Sequence, residues 1–192
     1  MGKALTIVED AVAALARGGV VVIPTDTVYG LAAKADHDVA VDRIYALKGR
    51  PREKALQLLV PDVSWLDRLG RPSEAVRALA ERFWPGPLTI VVPGHTDEAV
   101  GLRMPDNPLA LDVLASAGAV AATSANRSGA ETPRDAASIR ELFGEGVDVY
   151  VDGGTIVGLA STVVDMTGAE PRVLREGAVT ADEITRALGL SI

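Results

Sequence analysis

Two periods of apolar residues run through this chain. Ile7, Val8, Ala11, Val12 and Leu15 recur at helical spacing and share one face, Thr6 and Glu9 stand at capping-box spacing, and Gly18 and Gly19 supply the stop. An unbroken apolar run at 20–23 then halts at Pro24, the pattern of a buried strand that opens into a loop. A second helix is predicted from Asp38, as its cap, through Leu47, and the Lys48-Gly49-Arg50-Pro51 turn ends it because proline cannot continue a helix. Further strands are predicted at 56–60, 88–92, 101–104, 120–123, 147–151, 161–165 and 172–174, with helices at 73–83, 109–115, 135–143 and 181–188. Trp84-Pro85-Gly86-Pro87 breaks the helix before it.

Helices and strands therefore interleave, but without the strict beat of consecutive crossover units, which points to an α/β fold on a mixed sheet. No internal repeat, low-complexity tract or Pro/Ser-rich linker marks a boundary, so one domain over residues 1–192 is the expected organisation. A chain of this length can bury most of the surface its unfolded form exposes.

Apolar residues make up 48% of the chain, yet they fall in short runs, none near the roughly 18 residues a membrane span requires. The expectation is a soluble, cytoplasmic protein with no membrane partner. The first ten residues lack the apolar stretch and cleavage site of a secretory signal, and Gly2 with Thr6 gives only a minimal match to a myristoylation pattern. The absence of cysteine removes disulfides and thiolate metal sites. A net charge of −7 argues against gripping nucleic acid through overall electrostatics, so any anion site must be local. Against that background Lys48, Arg50, Arg52 and Lys54 stand out at alternate positions, with only Glu53 to offset them.

Common catalytic signatures are missing. There is no phosphate-binding Gly-x-x-x-x-Gly-Lys-Ser/Thr loop and no Gly-x-Gly-x-x-Gly after a strand. His37 and His95 lie in unrelated surroundings and read as surface residues, which disfavours zinc or a histidine-activated nucleophile. Four polar clusters remain, each at the end of a predicted element, where open α/β sheets place their ligand crevices. They are Pro24–Gly30, the basic turn at 48–51, Thr123–Gly129, and 161–165 together with Arg175. The first could read an ammonium and a carboxylate, and the third a triphosphate or adenine. Singly, each is explained as well by turn chemistry or by cations complementing a helix dipole.

Their order and residues nevertheless resemble the YrdC/TsaC family of threonylcarbamoyl-AMP synthases. The resemblance runs from about Thr6 to the C-terminus and rests on PTDTVYGL at 24–31, KGRP at 48–51, FWPGPLT at 83–89, LRMP at 102–105, TSANRSG at 123–129 and STVVD at 161–165. It implies a twisted open mixed sheet with flanking helices and a large, positively lined concave cavity. It implies substrates too: ATP, L-threonine and bicarbonate, joined with release of pyrophosphate.

By matching motif positions, Thr27, Arg103 and Ser161 resemble L-threonine contacts, while Lys48, Arg50, Ser124, Asn126, Thr132 and Arg175 resemble nucleotide contacts. Lys48 and Arg50 are the pair expected to face the phosphates and to act in catalysis. The resemblance implies Mg2+ held mainly by ATP phosphates, with no protein metal ligand, and a tRNA-modifying transferase complex as partner, with at most weak tRNA contact. A non-catalytic module binding tRNA or double-stranded RNA is the rival reading. Two positions depart from the family pattern: Lys54-Ala55-Leu56 stands where many relatives read Asn-Pro-Leu, and Leu59 where they carry His. The length resembles the short, single-domain branch.

Overall fold

The computed structural model describes residues 2–190. Its elements are α1 (Gly2–Ala16), β1 (Val21–Ile23), β2 (Gly30–Lys34), α2 (Asp38–Lys48), β3 (Gln57–Leu59), α3 (Trp65–Leu69), α4 (Glu74–Phe83), β4 (Leu88–Pro93), β5 (Ala99–Arg103), α5 (Pro108–Ala117), β6 (Val120–Ser124), α6 (Ala136–Phe143), β7 (Val149–Tyr150), β8 (Thr162–Asp165), β9 (Arg172–Arg175) and α7 (Ala181–Ala187). The strands form one sheet in the order β7-β1-β2-β6-β3-β5-β4-β8-β9. It is mixed: β1/β7, β3/β5 and β4/β8 run parallel, and the other neighbours antiparallel. The expected α/β architecture is present. No helix among the described residues is long and apolar enough to cross a membrane.

Side-chain alternation along the strands explains where the open surface lies. On one face Val21, Ile23, Ala32, Leu59, Val120 and Ala122 pack with Ala11 and Leu15 of α1 and Val113 and Leu114 of α5. On the opposite face of the same strands, Val22, Leu31 and Ala33 pack with Ala40 and Ile44 of α2 and Ile139 and Phe143 of α6. The remainder of the sheet is covered differently. Leu88, Ile90, Val92, Leu102 and Val164 meet Leu66, Val76, Leu79 and Ile184 from α3, α4 and α7. The reverse side of those strands carries Thr89, Val91, Gly101, Arg103, Val163 and Arg175, in register across β5, β4, β8 and β9. Val91, Gly101 and Val163 are only half-buried there. One half of the sheet is thus sandwiched, and the other half has a bare face, one that no helix among the described residues covers.

Local signals set most helix ends. Ser73, Asn107 and Asp135 each accept from a backbone N–H three residues on, and Thr180 with Glu183 completes a capping box. Two expected caps are displaced. Helix α1 begins at Gly2, so Thr6 lies inside it rather than at its cap. Helix α2 is capped by His37, whose Nδ1 accepts from Ala40 N at 3.3 Å, while Asp38 occupies the first turn, where its charge suits the helix dipole. The half-buried His37 therefore has a structural task, whereas His95 is exposed as expected.

Thr162 ties the bare half together. Fully buried, its hydroxyl donates to Val179 O and accepts from Gly177 N at 2.8 Å and Val179 N at 3.1 Å, fastening β8 to the segment before α7. Thr162→Val keeps the shape but strands these backbone groups. It is expected to lower stability by about 2–3 kcal/mol, measured as a shift of the urea midpoint at unchanged slope.

Candidate active site

The loop after β1 is a self-braced turn. Thr25 Oγ1 donates to Val28 O at 2.6 Å and accepts from the N–H groups of Thr27 and Val28, both at 3.2 Å. Its hydroxyl lies 3.0 Å from that of Thr27. The loop reaches across to β5, although three strands separate β1 from β5 in the sheet. There Arg103 donates from Nη1 to Thr27 Oγ1 at 2.9 Å, from Nη2 to Asp26 Oδ1 at 2.5 Å and from Nε to Gly86 O at 3.0 Å. Asp26 Oδ1 also accepts from Asp106 N. Burial pulls the Arg103 guanidinium below its ordinary pKa, the Asp26 carboxylate opposes this, and Arg175 adds to the depression. Gly158 crosses the same loop so closely that a Cβ would lie 2.6 Å from Thr27 O, which leaves glycine as the side chain that fits.

The basic turn and the third polar cluster form a single unit. Helix α2 ends with Gly49 in the left-handed conformation, φ 62°, so the chain reverses there and sends Arg50 back along the site. Lys48, only 3% exposed, points its ammonium at Ser124 O (2.5 Å), Asn126 O (2.7 Å) and Asn126 Oδ1 (3.1 Å). Those contacts use its three N–H donors. Ser124 Oγ donates to Asn126 Oδ1, and Asn126 Nδ2 bridges Arg127 O and Ala130 O. Lys48 therefore braces the turn that carries Ser124. Burial, assisted by the charge of Arg50, lowers its pKa to about 8.

That depression has opposite consequences for fold and activity. The unfolded chain binds more protons between about pH 8 and 10.5, so this group increasingly favours the folded state as pH rises through that window. Activity is expected to fall above about pH 8 as the charge is lost, without a fall in Tm. Lys48→Arg, which stays protonated, should flatten the decline in a kcat/KM profile.

On the bare face, Arg175 donates to Ser161 O (3.1 and 2.7 Å) and to Ser161 Oγ (3.1 Å). Ser161 Oγ is 3.0 Å from Thr89 Oγ1, which donates to Gln57 Oε1 at 2.7 Å. Arg50 is anchored to Lys54 O at 2.9 Å and Ala55 O at 3.0 Å. Arg175 is lowered by burial and by the charge of Arg50. Lys48 feels Arg50, Arg50 acts on Arg175, and Arg175 acts on Arg103, so the four cations are electrostatic neighbours in series. Among the described residues only Arg103 of the four has an ion-pair partner, Asp26.

Thr27, Lys48, Arg50, Arg103, Ser124, Asn126, Ser161 and Arg175 are thus linked by contact or charge. Thr132 is not hydrogen-bonded to these groups among the described residues; it lines a pocket of about 400 Å3 with Val28, Arg134, Ile156, Gly158 and Leu159, beside the loop that carries Thr27. Of the two departing positions, Leu59 is buried against α1 and α5, and Lys54 offers its carbonyl to Arg50 and Tyr45. Three polar partners were not singled out from sequence: Asp26 as the counter-ion of Arg103, and Gln57 and Thr89. The signal for the latter two was strand alternation, which puts polar side chains on a face that should otherwise be apolar.

A nine-stranded mixed sheet with Arg103 and Arg175 on its uncovered half, and Lys48 and Arg50 at the end of α2 coupled to them, defines an α/β protein with a locally positive site suited to an anion. The Sua5/YciO/YrdC family model, described as telomere recombination, matches residues 13–177, and the chain belongs to that family. It is 38% identical over 195 residues to the threonylcarbamoyl-AMP synthase of Bacillus subtilis, covering 95% of this chain and 56% of that protein. It is 36% identical over 178 residues to the threonylcarbamoyl-AMP synthase of Chromohalobacter salexigens, covering 85% of this chain and 94% of that protein. Among solved structures, P. abyssi Sua5 complexed with L-threonine superposes with a TM-score of 0.90 at 36% identity, over 95% of this chain and 57% of the other. The chain therefore spans about half the length of some relatives and nearly the whole of others.

Proposed function

We propose that this protein is a threonylcarbamoyl-AMP synthase, converting L-threonine, bicarbonate and ATP to threonylcarbamoyl-AMP and pyrophosphate. The observation that carries this reading is the meeting of two unlike sets of groups in one hollow. A hydroxyl-lined niche at Thr27, Ser161 and Arg103 suits an amino acid, and Arg50, Arg175 and the braced Ser124 turn suit a polyphosphate. The name threonylcarbamoyl-AMP synthase carried by two of the relatives supports the same reading.

The chemistry needs no protein nucleophile. The threonine amine adds to carbon dioxide derived from bicarbonate, giving a carbamate. A carbamate oxygen then attacks the α-phosphorus of ATP, and pyrophosphate leaves. The protein's work is to hold the two reactants in line and to neutralise charge growing on the phosphate oxygens. Arg50 and Arg175 supply that charge; Lys48 keeps Ser124 in place. Mg2+ fits this arrangement as a passenger on the triphosphate. Asp26 is spent on Arg103 and Asp106 N, and no group of three His, Asp or Glu among the described residues is spaced to hold a metal. The product would pass, in the cytoplasm, to a tRNA-modifying transferase.

Purified protein supplied with ATP, bicarbonate, magnesium and L-threonine is expected to release pyrophosphate only when threonine is present. Equal release without threonine would sink the reading.

A further inference from the structure

Four polar side chains on the bare face form one directional chain. Arg175 Nη2 donates to Ser161 Oγ, Ser161 and Thr89 share a hydrogen bond, and Thr89 Oγ1 donates to Gln57 Oε1. A guanidinium accepts nothing, and each hydroxyl has one proton. Thr89 spends its proton on Gln57, so Ser161 gives its own to Thr89. Every hydroxyl proton then has an acceptor inside the chain; turning the Gln57 amide over would leave one of the two hydroxyl protons without one. Thr89 and Ser161 are left offering lone pairs, and the free donors beyond the two hydroxyls stand on Gln57 Nε2.

That nitrogen makes no hydrogen bond among the described residues, yet no buried side-chain nitrogen or oxygen there lacks a partner. The amide nitrogen is therefore accessible to solvent rather than sealed in the core. Its direction follows from register: Leu59 lies opposite Arg103, and Gln57, two residues earlier, shares their face. Gly101 keeps the space beside it clear, since a Cβ there would stand 3.6 and 3.7 Å from methyl groups of Thr89 and Val91 and 3.9 Å from Gln57 Cβ.

We propose that Gln57 is a substrate-contacting residue whose amide N–H groups bind an anionic carboxylate-type oxygen, that of the amino acid or of the carbamate made from it. This rests on the synthase reading above. An uncharged donor suits the position, because another full cation beside Arg103 and Arg175 would add repulsion to guanidinium groups already depressed by burial and by a neighbouring arginine, Arg175 for the first and Arg50 for the second. The lone pairs of Thr89 and Ser161 would face the donors of the same substrate, its ammonium or hydroxyl.

The test uses Gln57→Glu, which keeps an acceptor for Thr89 but removes both donors, and Gln57→Met, which removes acceptor and donors together. Pyrophosphate release from the full chain gives KM for threonine, bicarbonate and ATP, and Tm reports folding. Both variants are expected to raise KM for threonine or bicarbonate about tenfold or more, with KM for ATP unchanged. Calorimetric titration of threonine without bicarbonate or ATP separates the sources. A weaker Kd assigns the amino acid's carboxylate; an unchanged Kd with a raised bicarbonate KM assigns the carbamate oxygen. Wild-type behaviour of Gln57→Glu beside an impaired Gln57→Met would reduce Gln57 to a brace for Thr89 and overturn the proposal. If Gln57→Glu fails to fold, a folded Gln57→Met with unchanged KM values overturns it equally. A wild-type protein without threonine-dependent turnover would sink the synthase reading and this contact together.

Discussion

Arg103→Met is expected to abolish measurable threonine binding and to cost about 3–5 kcal/mol of folding stability, because it leaves a carboxylate in a largely buried place without its cation. Arg103 is 2% exposed and joins three segments distant in sequence: Thr27 and Asp26 in the first loop, Gly86 before β4, and its own strand β5. Without it, Asp26 keeps Asp106 N but loses its ion pair. Arg103→Lys separates charge from shape. It restores one cation but not the planar fork that reaches Thr27, Asp26 and Gly86 at once, so stability should recover in part while threonine binding stays weak. Urea denaturation and calorimetric titration of threonine measure the two effects.

Lys48→Met is expected to cut kcat/KM about a hundredfold or more while the protein remains folded. Two opposing terms keep the stability change small. Removing a buried ammonium relieves its desolvation, and leaving Ser124 O, Asn126 O and Asn126 Oδ1 without that donor costs about the same kind of energy. Activity has no such compensation. The turn that presents Ser124 loses its brace, and the site loses one of four electrostatically linked positive charges. Because Lys48 acts through the turn, Asn126→Ala should produce a similar loss, and the double variant should lose little more than either single one.

The strands that were legible in the sequence were those whose apolar runs end at turn residues, such as 20–23 before Pro24 and 120–123 before the Ser124 turn. Strand β2, Gly30–Lys34, was not, because it is sandwiched between helices on both faces and built of small residues; its buried GLAAK run has neither alternation nor β-branched side chains. Helix α3, five residues long, is too short to show a helical period. The site was legible as motifs and opaque as geometry. PTDT, KGR, SAN and Arg175 could be read along the chain, but sequence spacing carries no sign that Arg103 on β5 would close onto Thr27 and Asp26 from across three strands. Nor could it show that the ammonium of Lys48 turns inward to the Ser124–Asn126 segment. Gln57 and Thr89 escaped for a related reason: each is an ordinary strand residue until the register sets them side by side on the uncovered face.

Mass spectrometry of the product formed from 13C-bicarbonate, L-threonine and ATP tests most directly whether one hollow joins amino acid and nucleotide. An adenylate bearing both threonine and a single 13C atom is the expected species. Pyrophosphate release that yields only AMP, or an adenylate without the isotope, would contradict it.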